Sequence, residues 1–183
     1  MMGIVILVVL AIAVFWIAGL YNAFVKQREN VKTGWSQIDV QLKRRHDLIP
    51  NLVETAKGYM QHERDTLEKV IKARQQAIDA SNIKDKQQAE NFLSSTLRSL
   101  FAVSENYPNL KADRHMAQLM EELTSTENKI TFARQYYNDE VNRFNTAVQQ
   151  FPGNIVAGMF SFKKSEFFEI ENPAEKQAPN VKF

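Results

Sequence analysis

Met1 to Val25 contains no Asp, Glu, Lys, Arg or His. This constrains the fold more than any other feature, because it decides which solvent the segment tolerates. From Ile4 to Leu20 the residues are almost all Ile, Leu, Val, Ala, Phe and Trp. A helix of about 20 apolar residues spans a bilayer core of about 30 Å, and it satisfies its own backbone groups, as lipid demands. Ile4, Leu7, Leu10, Phe15, Trp16 and Leu20 are the expected lipid-facing anchor. Trp16 and Tyr21 stand toward the far end, where amphipathic rings favour the headgroup level. Ala11-Ile12-Ala13 has the small-x-small form of a signal cleavage site, but no basic n-region precedes the apolar run. The segment is therefore read as an uncleaved anchor rather than a cleaved signal or a buried soluble helix.

The first charge is Lys26, and the first basic residues are Lys26, Arg28 and Lys32. Between Lys26 and Pro50, basic residues exceed acidic ones by three, whereas the whole chain of 183 residues carries only +2. Positive charge beside a spanning helix tends to stay cytoplasmic, so the expected topology is N-terminus outside and bundle inside. A near-neutral chain argues against nucleic-acid binding. The sequence has no Cys, which excludes disulfides, thiolate catalysis, cysteine-linked lipid and most zinc sites.

Breakers are sparse. Pro occurs at 50, 108, 152, 173 and 179, and two long stretches, 59–107 and 109–151, lack both Gly and Pro in their interiors. Apolar residues recur at steps of three and four. One stripe is Val31, Trp35, Ile38, Leu42 and Ile49. A second is Leu52, Ala56, Met60, Leu67, Ile71 and Ile78. A shorter one is Phe92, Thr96, Leu100 and Val103. The longest runs through Leu119, Leu123, Thr126, Ile130, Ala133, Tyr137, Val141, Phe144, Val148 and Phe151. The expected fold is all-α, an N-terminal transmembrane helix continuing into an antiparallel bundle of about four long helices. Pro50 removes a backbone donor, so the first helix should kink or stop there, and the second should run to about Ala80. The expected organisation is an anchor at 1–25, a bundle at 26–151, an aromatic segment at 152–170 and a disordered tail at 171–183.

Catalytic signatures are missing. His46, His62 and His115 are the only histidines. None stands in a Glu-x-x-His pair or a zinc-protease motif, and each reads as surface or packing. No phosphate loop and no nucleophile elbow occur. No catalytic residue, metal ligand or cofactor is expected. Arg45, Asp47, Asn51 and Glu54 crowd Pro50 as a candidate polar cluster, and Thr126, Glu127 and Asn128 interrupt the last stripe. If buried, such groups must pair. Phe160, Phe162, Phe167 and Phe168 have no obvious place in the stripes and are a candidate oligomer contact.

The residues Tyr21-Asn22, Arg28-Glu29-x-Val31, Trp35-Ser36-Gln37-Ile38-Asp39-Val40-Gln41-Leu42-Lys43-Arg44-Arg45 and Asp47-Leu48-Ile49-Pro50-Asn51-Leu52-Val53-Glu54 closely resemble the bacterial LemA family. So do Lys57-Gly58-Tyr59, His62-Glu63, Tyr107-Pro108-x-Leu110-Lys111, Thr126-Glu127-Asn128, Ala133-Arg134 and Tyr137-Asn138. Phe144-Asn145, Phe151-Pro152-x-Asn154 and Phe167-Phe168-Glu169 complete a match from about Tyr21 to Glu169. Gly34 stands where Ala is expected, and Phe144 where Tyr is common. The resemblance implies a transmembrane helix, a helical bundle and no established enzymatic activity. One branch of the family is associated with magnetosome membranes. The expected role is a non-enzymatic single-pass protein of the bacterial inner membrane that self-associates or scaffolds. The rival is a membrane-tethered binding module that senses a ligand or assists a neighbouring membrane protein such as a protease. Expected partners are the lipid bilayer, further copies of the chain and a membrane protein, with no nucleic acid.

Overall fold

The computed structural model describes residues 1–168. The tail expected at 171–183, and Glu169 of the closing motif, lie outside the described residues. Six helices are present among them: α1 (Met2–Lys57), α2 (Arg64–Asp79), α3 (Ile83–Ser104), α4 (Pro108–Lys111), α5 (Arg114–Ala147) and α6 (Gly153–Met159). No strand occurs among the described residues. The fold is all-helical, as the stripes imply.

The chain divides into two compact units. The first comprises Met1–Ile38 and Phe132–Phe167. Here α1 and α5 run antiparallel, since Asn30 meets Glu140 and Trp35 meets Tyr137. Gly34 explains its own presence. A Cβ there would stand 3.1 Å from the Tyr137 Cα, so the two backbones approach closely. The helix-propensity cost of glycine, about 1 kcal/mol, is what that approach requires. Val31, Ile38, Ala133, Val141, Phe144 and Val148 are buried. Two polar groups are buried with them and are satisfied. Glu140 accepts from Asn30 at 3.2 Å and from Arg143 at 2.8 Å. Asn145 exchanges two hydrogen bonds with the Ser165 backbone, and with the Tyr137 hydroxyl on the Glu166 carbonyl it pins the segment after α6.

The second unit comprises Asp39–Thr131 together with Phe168. Its core joins Ile49, Leu52, Val53 and Ala56 of α1 to Leu67, Val70, Ala73 and Ala77 of α2 and Leu93, Leu97 and Leu100 of α3, with Leu110, Met116 and Leu123. Three residues separate α2 from α3, so the pair packs as a helical hairpin. Asn82 caps α3 by accepting the Asp85 N–H at 2.8 Å. Asp113 does the same for Met116 at the start of α5, at 2.9 Å. That bond, and the Tyr59 hydroxyl donating to the other Asp113 oxygen, hold the carboxyl below its usual range.

Two expectations are corrected here. The first helix does not stop at Pro50 but continues to Lys57, with Gly58 following. Proline lacks the N–H that would bond the carbonyl four residues back, which is that of His46. The Arg74 side chain donates its Nε–H to that carbonyl at 2.7 Å. A neighbouring helix thus supplies the missing donor, and the helix runs on. The inner face of α2 is also rotated from the expected stripe. Ile71 and Ile78 are exposed, whereas Val70, Ala73 and Ala77 face inward. Likewise on α3, Phe92 is half exposed and Leu93 and Leu97 are buried. Small alanines let α2 pack closely, which outweighs the larger area of the two isoleucines.

Candidate polar site and family assignment

Arg45 is 1% exposed in the middle of the second unit. Its flanks, Leu42, Ile49 and Leu52, follow the helical period that turns this face of α1 inward. A buried guanidinium must be paired and hydrogen-bonded. It donates to Glu90 of α3, to Ser94 Oγ at 2.7 Å, to Glu127 of α5 at 2.5 Å and to the Glu90 carbonyl at 3.4 Å. Ser94 in turn donates to the other Glu127 oxygen at 3.1 Å. Three helices are tied through one side chain.

Glu90 is fully buried. Its second oxygen lies 2.9 Å from His46 Nε2, the next residue on α1. Burial pushes the Glu90 carboxyl up, but the close approach of His46 and the Arg45 charge outweigh it, and the group sits below its ordinary 4.5. Glu90 is therefore an anion in the core. His46 opens onto a cleft of about 280 Å³ lined also by Asp39, Lys43, Asp47, Arg74 and Lys86, over Leu42, Ala77 and Ile78. The cations on its wall are engaged. Lys86 meets Asp39 at 2.8 Å, Lys43 meets Asp47 at 2.7 Å, and Arg74 holds the His46 carbonyl. Among the described residues no hydroxyl or thiol lines the cleft. Among the described residues no group of three or more His, Cys, Asp or Glu is placed to hold a metal ion. The arrangement ties three helices together through Arg45.

Of the four residues expected around Pro50, only Arg45 enters this network. Asp47 is exposed at the cleft, and Asn51 and Glu54 are exposed, Glu54 pairing with Lys57. The helix continues through Pro50, so Asp47, Asn51 and Glu54, at steps of four and three, share its exposed face while Arg45 points into the core from the opposite one. Of the three that interrupt the last stripe, Glu127 pairs with Arg45, Thr126 bonds the Glu122 carbonyl at 2.7 Å, and Asn128 is exposed. Sequence reasoning missed Glu90 and Ser94, and it assigned His46 to ordinary packing. The available signal was Glu90 in step with Leu93, Leu97 and Leu100, a carboxylate on an apolar stripe.

The aromatic segment folds back on its own chain. Phe162 sits among Tyr21, Phe24 and Phe144, with ring centres 5.7, 5.3 and 6.4 Å away, and the Arg28 guanidinium lies 5.4 Å from its centre. Phe160 packs edge-on to Tyr21 at 4.9 Å. Phe168 is buried, while Phe160 and Phe167 remain about half exposed. Phe162 and Phe168 are thus consumed within the chain and are not free to dock on a neighbour. The anchor residues Ile4, Leu7, Leu10, Phe15 and Trp16 are exposed, and Leu20 is partly covered. α1 includes an 18-residue window with mean hydropathy 2.9, none of it buried, long and apolar enough to cross a membrane.

A profile of the LemA family matches residues 34–183. The chain belongs to the LemA family. It is 24% identical to the magnetosome protein MamQ of Magnetospirillum gryphiswaldense and to magnetosome protein MamQ 2 of Paramagnetospirillum magneticum, over 84% of this chain. The match spans 66% of the length of those relatives. It is 26% identical to Protein LemA of Metamycoplasma hominis, over 81% of this chain and 69% of the relative. The family profile begins at Gly34, in α1, and so covers all the residues of the Arg45 network.

Proposed function

We propose that this LemA-family chain is a non-enzymatic, single-pass protein of the bacterial inner membrane that self-associates or scaffolds other membrane components. The observation that carries the membrane part is the wholly unburied apolar window of α1. So much exposed apolar surface is unfavourable in water and ordinary in lipid. The excess of Lys and Arg just after it supports a cytoplasmic side for the polar units. The non-enzymatic part is supported by the Arg45 guanidinium being spent on Glu90 and Glu127 inside the second unit. Tethering favours self-association, because parallel anchors hold copies side by side and raise their effective concentration. Relatives carrying a magnetosome name fit a role in organising membrane. The test is the native mass of the detergent-solubilised full chain by light scattering. A mass of several copies supports the reading; a strict monomer at all concentrations overturns self-association.

The cleft beside His46 favours a second reading, a tethered module that binds a ligand or a neighbouring membrane protein such as a protease. Its site would be the wall of Lys43, Arg74 and Lys86 rather than the residues around Pro50. Crosslinking from Ile78→Cys in membranes separates the two readings. A single heterologous adduct favours the module, and adducts only to further copies favour the scaffold.

A further inference from the structure

The short helix α6 has two faces. Gly153, Val156 and Ala157 are buried, and a Cβ at Gly153 would stand 3.1 Å from the Phe24 ring, so α6 lies directly against α1. The other face presents Ile155 and Met159, one turn apart, and Phe151 stands in the turn just before the helix. Their exposures are 55%, 65% and 80%. Ile155 and Met159 share the outer face of α6, and the exposed Phe151 and Phe160 flank the helix at its two ends.

Its position relative to the span decides what covers it. Phe160 packs on Tyr21, inside the charge-free stretch and five residues before Lys26, the first charge. At 1.5 Å per residue that is about 7 Å to the apolar side of Lys26. Interfacial helices bury their apolar face about 5–10 Å into the headgroup–acyl boundary. The flanking charges match. Lys26 and Arg28 on α1 and Lys163 and Lys164 after α6 are all exposed, and Arg28 lies over the Phe162 ring that links the two segments. These are cations placed where anionic lipid phosphates would stand.

We propose that the Ile155–Met159 face of α6, with Phe151 before it, lies in the cytoplasmic lipid–water interface, beside the point where α1 leaves the bilayer, with Lys163 and Lys164 on anionic headgroups. The inference rests on the membrane-anchor reading. It makes α6 a second, peripheral membrane contact that fixes how the first unit is oriented on the lipid surface. A bare anchor would leave that unit free to tilt.

The test uses the full chain in vesicles of phosphatidylcholine and phosphatidylglycerol in equal parts. The sequence has no native cysteine, so Ile155→Cys and Met159→Cys can each carry an environment-sensitive fluorophore. Val14→Cys reports on the span, and Ser99→Cys, exposed on α3, reports on water. Quenching is by phospholipid bearing a nitroxide on its acyl chain. The expected result is blue-shifted emission and loss of most intensity at 155 and 159, as at 14, with little change at 99. Labels at 155 and 159 that behave like 99 while 14 is quenched overturn the inference and leave the anchor intact. A blue shift without lipid quenching also overturns it, by showing that protein covers the patch. An unquenched label at 14 removes the anchor reading, and this inference with it. Both labelled positions face outward, and helix content by circular dichroism verifies each fold; should one variant misfold, the other reads the same face.

Discussion

Arg45 and Glu90 allow a quantitative test of what orders the second unit. Both side chains are out of water, at 1% and 0% exposure. Replacing Arg45 by Met leaves the Glu90 anion buried with only His46 beside it, and breaking a buried pair in this way costs about 3–5 kcal/mol. Replacing Glu90 by Leu strands the guanidinium, which retains Glu127 and Ser94; the expected cost is toward the lower end of the same range, about 3 kcal/mol. The double replacement removes both charges. What remains is Ser94 facing an apolar neighbour and Glu127, whose side chain is 39% exposed and can turn to solvent. The expected cost of the double change is about 1–2 kcal/mol. Simple addition predicts about 6–8 kcal/mol, so the cycle should show a coupling of several kcal/mol. The assay is urea unfolding of the full chain in detergent, followed by far-ultraviolet circular dichroism at neutral pH. Additive costs, or single costs below about 1 kcal/mol, would refute the argument that this pair is a dry, mutually dependent unit.

Further predictions follow from single contacts. Arg74→Met should cost about 1–2 kcal/mol in the native chain and nearly nothing in a Pro50→Ala background, where alanine's own N–H bonds the His46 carbonyl; equal costs in both backgrounds would contradict the substitute-donor account. Gly153→Ala should destabilise by about 1–3 kcal/mol, because its Cβ would meet the Ala147 carbonyl at 2.8 Å, read as a lowered urea midpoint. Acid should destabilise the chain. Glu90 and Asp113 both have carboxyls held below their ordinary 4.5 and 3.8, so the unfolded chain takes up protons first as pH falls. Their stabilisation is complete above those ordinary values and is lost as pH drops through the lower folded ones. Urea midpoints measured at pH steps below about 5 should fall, and Glu90→Gln should flatten that fall.

The long elements were legible because they obey strong local rules. A charge-free run of this length has one common reading, and the stripe from Leu123 to Phe144 survives as the buried face of α5. The errors share a cause, which is that partners across helices are not written in local spacing. Pro50 reads as a break because its missing donor is visible, whereas the compensating Arg74 stands 24 positions later on another helix. Arg45 could be suspected from its neighbours' period, but Glu90 and Ser94 become its partners only when α3 packs. On α2 and α3 two apolar stripes compete, and the choice between Ile71 and Ala73 is made by how closely the helices approach. Phe162 is explained by a return of the chain onto Tyr21 and Phe24, a contact that no periodicity encodes.

The central claim is that this chain lives in the membrane through its N-terminal helix. Alkaline carbonate washing of membranes from cells expressing the full chain tests it directly. The account predicts that the protein stays in the pellet at its intact mass of 21.1 kDa, and that arginines at Leu10 and Val14, each opposed by about 2.5–3.5 kcal/mol at a helix centre, move it to the supernatant. Release of the unaltered chain by carbonate, or a pelleted product shortened at its N-terminus, would contradict it.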